Sequence, residues 1–268
     1  MKKLMFAAAA IAAGVAMADI TSANVVGYQN IAINPGFNMI ALNFQPVDGT
    51  EEISIQDLIQ NKDALVAGNT TAVSDQIQVW DGSKFDVYFY RAKKTTNPKF
   101  TAGPAWVKTT AQSTVSTDKI KRGAGVWFAR PTDQAAGAIT LSGSVSAQTY
   151  QHAINPGFNM ISSAFPCDMA LNNGPIDWVK SGAVAGNTTA VSDQIQVWDG
   201  SKFDVYFYRA KKTTNPKFTA GPAWVKTTAQ STVSPDIIPA GKGFWYARPS
   251  DQIAGMLEQP SPIAPAAE

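Results

Sequence analysis

The chain has 268 residues, with 22 Lys and Arg against 20 Asp and Glu, one His and one Cys. Lys2 and Lys3 account for the whole positive excess, so the rest is electrically balanced and lacks the basic field that draws proteins to nucleic acids or anionic membranes. A single cysteine, Cys167, excludes an internal disulfide, so stability must come from apolar cores, and the length suffices for two domains of common size.

Residues 1–18 read as an export signal rather than as part of a fold. Lys2 and Lys3 form a positive start, Leu4 to Val15 an apolar stretch, and Ala16-Met17-Ala18 a cleavage site that leaves Asp19 as the new N-terminus. No later segment reaches eighteen uninterrupted apolar residues, so no transmembrane segment is expected in the mature chain. The expected location is secreted or cell-surface, with the periplasm as the third compartment that such a signal serves.

The mature sequence is duplicated. The motif INPGFNMI at Ile33–Ile40 returns at Ile154–Ile161, and the block from Ala67 to Ser116 recurs without a change from Ala185 to Ser234. After the block, Gly123-Ala-Gly125-Val-Trp127 is answered by Gly241-Lys-Gly243-Phe-Trp245. The period far exceeds that of solenoid repeats, so the copies read as tandem domains, module 1 over 19–144 and module 2 over 145–257. The Pro/Ala-rich residues 258–268 read as a disordered tail.

Ahead of each block the letters diverge, yet each copy carries a signal for one short helix. Ser54-Ile-Gln-Asp57 fits a capping box, and Gly174-Pro175-Ile-Asp177 places proline at a first helical position. Elsewhere the pattern is of strands, at Phe37 to Asn43, Ala105 to Thr109, Gly125 to Arg130 and Ala138 to Ser144. Asp81-Gly82 between DQIQVW and KFDVYFY signals a hairpin. A three-residue loop, Asp81 to Ser83, sets Val79 opposite Phe85 and collects Ile77, Val79, Phe85, Val87 and Phe89 on one apolar face. That register leaves Trp80, Tyr88, Tyr90, Gln78 and Asp86 together on the other face, with Trp198, Tyr206, Tyr208, Gln196 and Asp204 as their copies. The expected fold is mainly β, two tandem antiparallel β-sandwich-like domains, each with one short helix.

Taken together, Gly36-Phe37-Asn38-Met39-Ile40, Trp80-Asp81-Gly82, Gly123 to Trp127 and Leu141-Ser-Gly143 resemble motifs of tandem β-rich modules in secreted and cell-surface bacterial proteins. The resemblance spans nearly the whole mature chain and implies a β fold and an exported location. It implies no chemistry, since such modules mostly have no assigned function. Phe37 and Phe158 stand where those modules usually carry Trp, and module 2 lacks the L-x-G ending.

Nothing in the sequence assembles a catalytic or metal-binding constellation, and no cofactor is expected. His152 has no nucleophile motif to serve, Cys167 reads as a small buried hydrophobe, and Asp81 to Asp86 lacks the acidic spacing of a calcium loop. Asp75, Asp81, Asp86 and their copies leave glycoside hydrolysis as the enzymatic alternative. The face of Trp80, Tyr88 and Tyr90 has two interpretations. Its rings and amides suit a surface polysaccharide, with two copies raising avidity, or it packs against another layer or the other module. The leading expectation is a non-enzymatic, exported surface or extracellular-matrix protein whose modules self-associate or bind neighbours; a carbohydrate-binding protein is the alternative.

Overall fold

Short β-branched and aromatic runs, punctuated by Gly, Pro, Asn and Asp, give eighteen strands and no α-helix among the described residues. The computed structural model describes residues 25–92, 103–210 and 221–263. The expected export signal at 1–18 lies outside them. None of the described residues belongs to a helix long and apolar enough to cross a membrane.

Module 1 contains β1 (Val25–Ile33), β2 (Gly36–Ala41), β3 (Glu52–Ser54), β4 (Gln76–Trp80), β5 (Phe85–Arg91), β6 (Ala105–Lys108), β7 (Lys119–Lys121), β8 (Gly125–Arg130) and β9 (Gly137–Val145). Module 2 repeats the series as β10 (Tyr150–Ile154), β11 (Gly157–Ser162), β12 (Met169–Ala170), β13 (Gln194–Trp198), β14 (Phe203–Arg209), β15 (Ala223–Lys226), β16 (Ile237–Ile238), β17 (Gly243–Arg248) and β18 (Gly255–Gln259). In each module five strands form an antiparallel sheet, ordered β2-β8-β4-β5-β6 and β11-β17-β13-β14-β15. Two ribbons, β1-β9 with β3-β7 and β10-β18 with β12-β16, complete each sandwich.

Between sheet and ribbons lies the core. In module 1 the sheet contributes Ile40, Ile77, Tyr88, Tyr90, Trp106 and Phe128, and the ribbons contribute Ile33, Ile53, Ile120 and Ile139. Module 2 builds the same core from Ile195, Tyr206, Tyr208, Trp224 and Tyr246 beneath Ile154, Ile238 and Leu257. The mainly β, two-unit sandwich expected from the sequence is therefore present. The expected strands at β2, β6, β8 and β9 form within a few residues of their predicted bounds.

Three expectations are corrected. Among the described residues no α-helix forms ahead of either block, and only the three-residue 3-10 turn Lys62–Ala64 precedes the first. Ser54 Oγ accepts from the amide of Gln56, two residues on, which makes a turn instead of an N-cap. Gln56 is held by the block instead, donating to the carbonyls of Trp106 and Ser116 and accepting from the Trp106 amide. Asn172 makes the same three bonds to Trp224 and Ser234, so a shared clamp hides under unlike letters. The segment after Asp177 makes one turn, closed by the Ser181 amide on the Asp177 carbonyl, and then ends at Gly182 with φ +71°.

The second correction concerns the hairpin register. Trp80 pairs with Phe85 and Ile77 with Tyr88, so the connection is four residues, Asp81–Lys84. Asp81 Oδ1 accepts from the amides of Ser83 and Lys84 at 2.8 and 2.9 Å, and this side-chain bridge holds the longer loop. One added residue moves every β5 side chain to the other face. Asp86, Tyr88 and Tyr90 join Ile77 and Val79 inside, while Phe85, Val87 and Phe89 join Gln76, Gln78 and Trp80 outside. The apolar-face criterion failed because both sheet faces are covered, a condition that removes the wet/dry alternation.

Third, order persists past the boundary set at 257. Glu258 and Gln259 pair with Gln151 and Tyr150 in β18, and Ser261 Oγ donates to the Ser146 carbonyl. Residues 264–268 of the expected tail lie outside the described residues.

Among the described residues each module fully buries an Asp–Arg ion pair. Asp75, fully buried, accepts from Arg130 Nε and Nη2 at 3.1 and 2.8 Å and from the Val66 amide. Asp193 and Arg248 repeat this, with Tyr246 Oη as an added donor at 2.6 Å. Removing one member strands a charge in a dry interior. Asp75→Ala should therefore cost about 3–5 kcal/mol, read as a lowered urea midpoint, whereas a loss below about 1 kcal/mol would show that Arg130 finds water instead.

Candidate functional site

The ten residues singled out by sequence do not form two platforms. Gln78 and Trp80, with Gln196 and Trp198, lie on the outer sheet faces; Asp86, Tyr88 and Tyr90, with Asp204, Tyr206 and Tyr208, lie on the inner ones. Tyr88, Tyr90, Tyr206 and Tyr208 are buried core residues.

On the inner faces the polar members are tied to one another. Lys108 Nζ meets Asp86 at 2.8 Å and Asp118 at 3.6 Å, and Tyr88 Oη donates to Asp118 at 2.6 Å. In module 2 Lys226 meets Asp204 at 2.9 Å and Tyr206 Oη donates to Asp236 at 2.7 Å, along a cleft of about 250 Å³. Burial first, then the Asp118 acceptor, pushes the Tyr88 hydroxyl far above its ordinary value. The Tyr88 hydrogen bond, followed by Lys108, holds Asp118 below the usual carboxylate range, and the Asp86 contact raises Lys108. A general acid in glycoside hydrolysis needs the opposite shift. Asp81 and Asp199 serve as turn caps, and Asp75 and Asp193 are spent on arginines. The described residues contain no group of three His, Cys, Asp or Glu placed to hold a metal ion.

The outer faces meet each other. Trp245 of module 2 packs edge-on against Trp80 at 5.5 Å and near Phe85 at 6.1 Å, with its own Phe158 at 5.6 Å. The mirror set places Trp127 against Trp198, Phe203 and Phe37 at 5.7, 6.2 and 5.7 Å. Each block indole donates across the junction, Trp80 Nε1 to the Phe158 carbonyl and Trp198 Nε1 to the Phe37 carbonyl, both at 3.0 Å. Backbone bonds cross in the same paired way, from the Ala41 amide to Gly241 and from the Ser162 amide to Gly123.

The G-x-G-x-W motifs make this approach possible. Gly123 and Gly241 adopt φ of +79° and +83°, which a side chain disfavours. Gly125 and Gly243 sit where the two modules touch. A Cβ on Gly125 would lie 2.6 Å from the Ile161 oxygen, and one on Gly243 would lie 2.7 Å from the Ile40 oxygen. Sequence reasoning named these motifs as structural but missed that they face one another.

Arg122 breaks the symmetry, and sequence reasoning passed over it. Its guanidinium is almost fully buried and bonds both Glu51 oxygens at 2.8 Å. It also donates to the Ala164 carbonyl of module 2 and lies 4.6 Å from the Tyr150 ring and 5.2 Å from the Phe165 ring. At the matching place module 2 carries Ala240. The only available signal was this difference in letters just before each Gly-x-Gly.

Beside that latch, His152 is buried, with the Tyr150 ring at 4.7 Å and Gln259 Oε1 at 3.4 Å from Nε2. Burial lowers it to about 4, against the Gln259 bond and with a smaller push from Arg122. Cys167 is half-buried, and burial raises its thiol.

No protein-family model, curated protein or solved structure matches the chain.

The folded His152 binds its proton more weakly than the unfolded one, so stability is lost as pH falls from about 6.5 to about 4. The full loss amounts to roughly 3 kcal/mol. His152→Ile, which installs the residue found at the matching Ile31, should flatten that pH dependence of the thermal midpoint. An unchanged slope would place the proton elsewhere.

Proposed function

We propose that the protein is an exported, non-enzymatic surface or extracellular-matrix protein whose duplicated β module works by recognising protein surfaces, its own twin first. The observation that carries this is the reciprocal aromatic junction, in which each module's block tryptophan docks on the other module's G-x-G-x-W tryptophan. Aromatic residues with satisfied indole N–H groups are the side chains that dominate stable protein contacts. Asp75, Asp86, Tyr88, Asp118 and Arg130, with their copies, are bound into the folds of the modules. An exported location is supported by the export signal read at residues 1–18 and by the resemblance to secreted β modules.

A carbohydrate-binding reading ranks second, on one feature. A groove of about 210 Å³ at the junction brings half-exposed Phe37 beside Asn34, Trp198 and Asp199. Its polar groups are mostly engaged already: Trp198 donates to Phe37, Asn38 to Asn34, and Asp199 caps its turn.

Two measurements test these readings. Fractionation and N-terminal sequencing of cells producing the full chain should find it outside the cytoplasm beginning at Asp19; an uncleaved cytoplasmic chain overturns the first reading. Phe37→Ala at the groove, with Phe158→Ala at its copy, should abolish retention on an insoluble polysaccharide if the second reading holds, and wild-type protein that binds none across a broad panel removes it.

A further inference from the structure

We infer that the junction also forms between chains, with module 1 of one copy docking on module 2 of a second by exchange across the connector Ser146–Thr149. The occupant of each outer face is visible in the structure, because the twin module already sits there. Trp80 and Phe85 meet Trp245 just as Trp198 and Phe203 meet Trp127, so the surface is nearly self-complementary.

Arg122 decides which pairing a second copy would make. In a module 1–module 1 pair it would face Gln29 and Phe44, the residues matching Tyr150 and Phe165. Only module 2 offers two rings and the Ala164 carbonyl to its buried guanidinium. His152 and Gln259 support that side, Gln259 accepting from the Ala164 amide and donating to Ser163 Oγ. Exchange between copies keeps every one of these contacts, whereas like-with-like pairing puts Gln29 in place of the Tyr150 ring and leaves Phe44 as the one matching ring.

The connector permits it. Its four residues are bent, with the Gln148 amide on Ser146 Oγ, and among the described residues no strand crosses from one module's sheet into the other's. Fully extended they reach about 14 Å, so opening the bend separates the modules without unfolding either sandwich. Closed and exchanged forms then differ mainly in connector entropy, and protein concentration sets their ratio. This rests on reading the modules as self-recognising units, but not on where the protein is exported.

Complementation between two variants of the mature chain tests it. Gly125→Val should bar module 1 from docking and Gly243→Val module 2, because each new side chain strikes the other module's backbone. Alone, each variant should be a monomer with folded modules. Refolded together at equal amounts, they should give a one-to-one heterodimer of twice the mass by light scattering, since one wild-type pair of faces remains between them. Folded variants that stay monomeric when mixed overturn the inference, with no consequence for export to the surface. Should either variant fail to fold, the unchanged mature chain decides: refolded at rising concentration, a growing fraction of twice the mass by light scattering supports exchange, and a monomer at every concentration refutes it.

Discussion

Everything distinctive in this molecule depends on the contact at which two backbones pass with no side chain between them. A Cβ on Gly243 would stand 3.1 Å from the Gly125 Cα, so the strands that carry Trp127 and Trp245 approach as closely as chemistry allows. That closeness sets the edge-on tryptophan pairs, brings the block indoles within reach of the opposite carbonyls, and lets β2 and β11 share backbone bonds with the partner module. Enlarge either glycine and the aromatic rings lose their sockets together, because densely packed contacts do not yield by degrees.

The duplication acquires a physical meaning in this frame. One module alone would show water an apolar face including Trp80, Phe85 and Trp127, a patch of the kind soluble proteins seldom leave open. Its twin covers that face and is covered by the same act. The unchanged block supplies the hairpin, which must fit both its own core and the neighbour's tryptophan. The Arg122 latch occupies one half only, so the pairing has two-fold geometry and one-sided chemistry. Its charge is tolerable in the interior because Glu51 meets it with two oxygens and two rings cover it.

Much of the fold was legible because it is written locally. Turn glycines, β-branched runs and the repeated PGFNMI and G-x-G-x-W motifs mark modules and strands without any knowledge of contacts. The helix was misread because Ser54 and Asp57 carry a cap signal whose outcome is decided elsewhere, by Gln56 binding β6 fifty residues on. The hairpin register was misread for a related reason. Alternation identifies a face only when one side is wet, and here Phe85 is claimed by a module 118 residues of repeat away while Tyr88 belongs to the core. Trp80 was singled out as a candidate ligand-binding residue and packs on Trp245 of the other module, whereas Tyr88 and Tyr90 were grouped with it only through the wrong loop length.

Linking two complementary faces on one chain makes each the nearest partner of the other, at an effective concentration that no dilute second copy matches. The junction is therefore expected to be closed within the chain when protein is scarce. It becomes a choice only when copies are crowded, as in a surface layer, where a four-residue connector gives little preference between the module it leads to and an identical one alongside. On this view Arg122 earns its buried position by direction: it adds nothing to the choice between own and neighbouring chain, but it separates module 2 from module 1 as a partner. An assembly built that way would keep head and tail distinct along its length, a property that two perfectly identical modules could not encode.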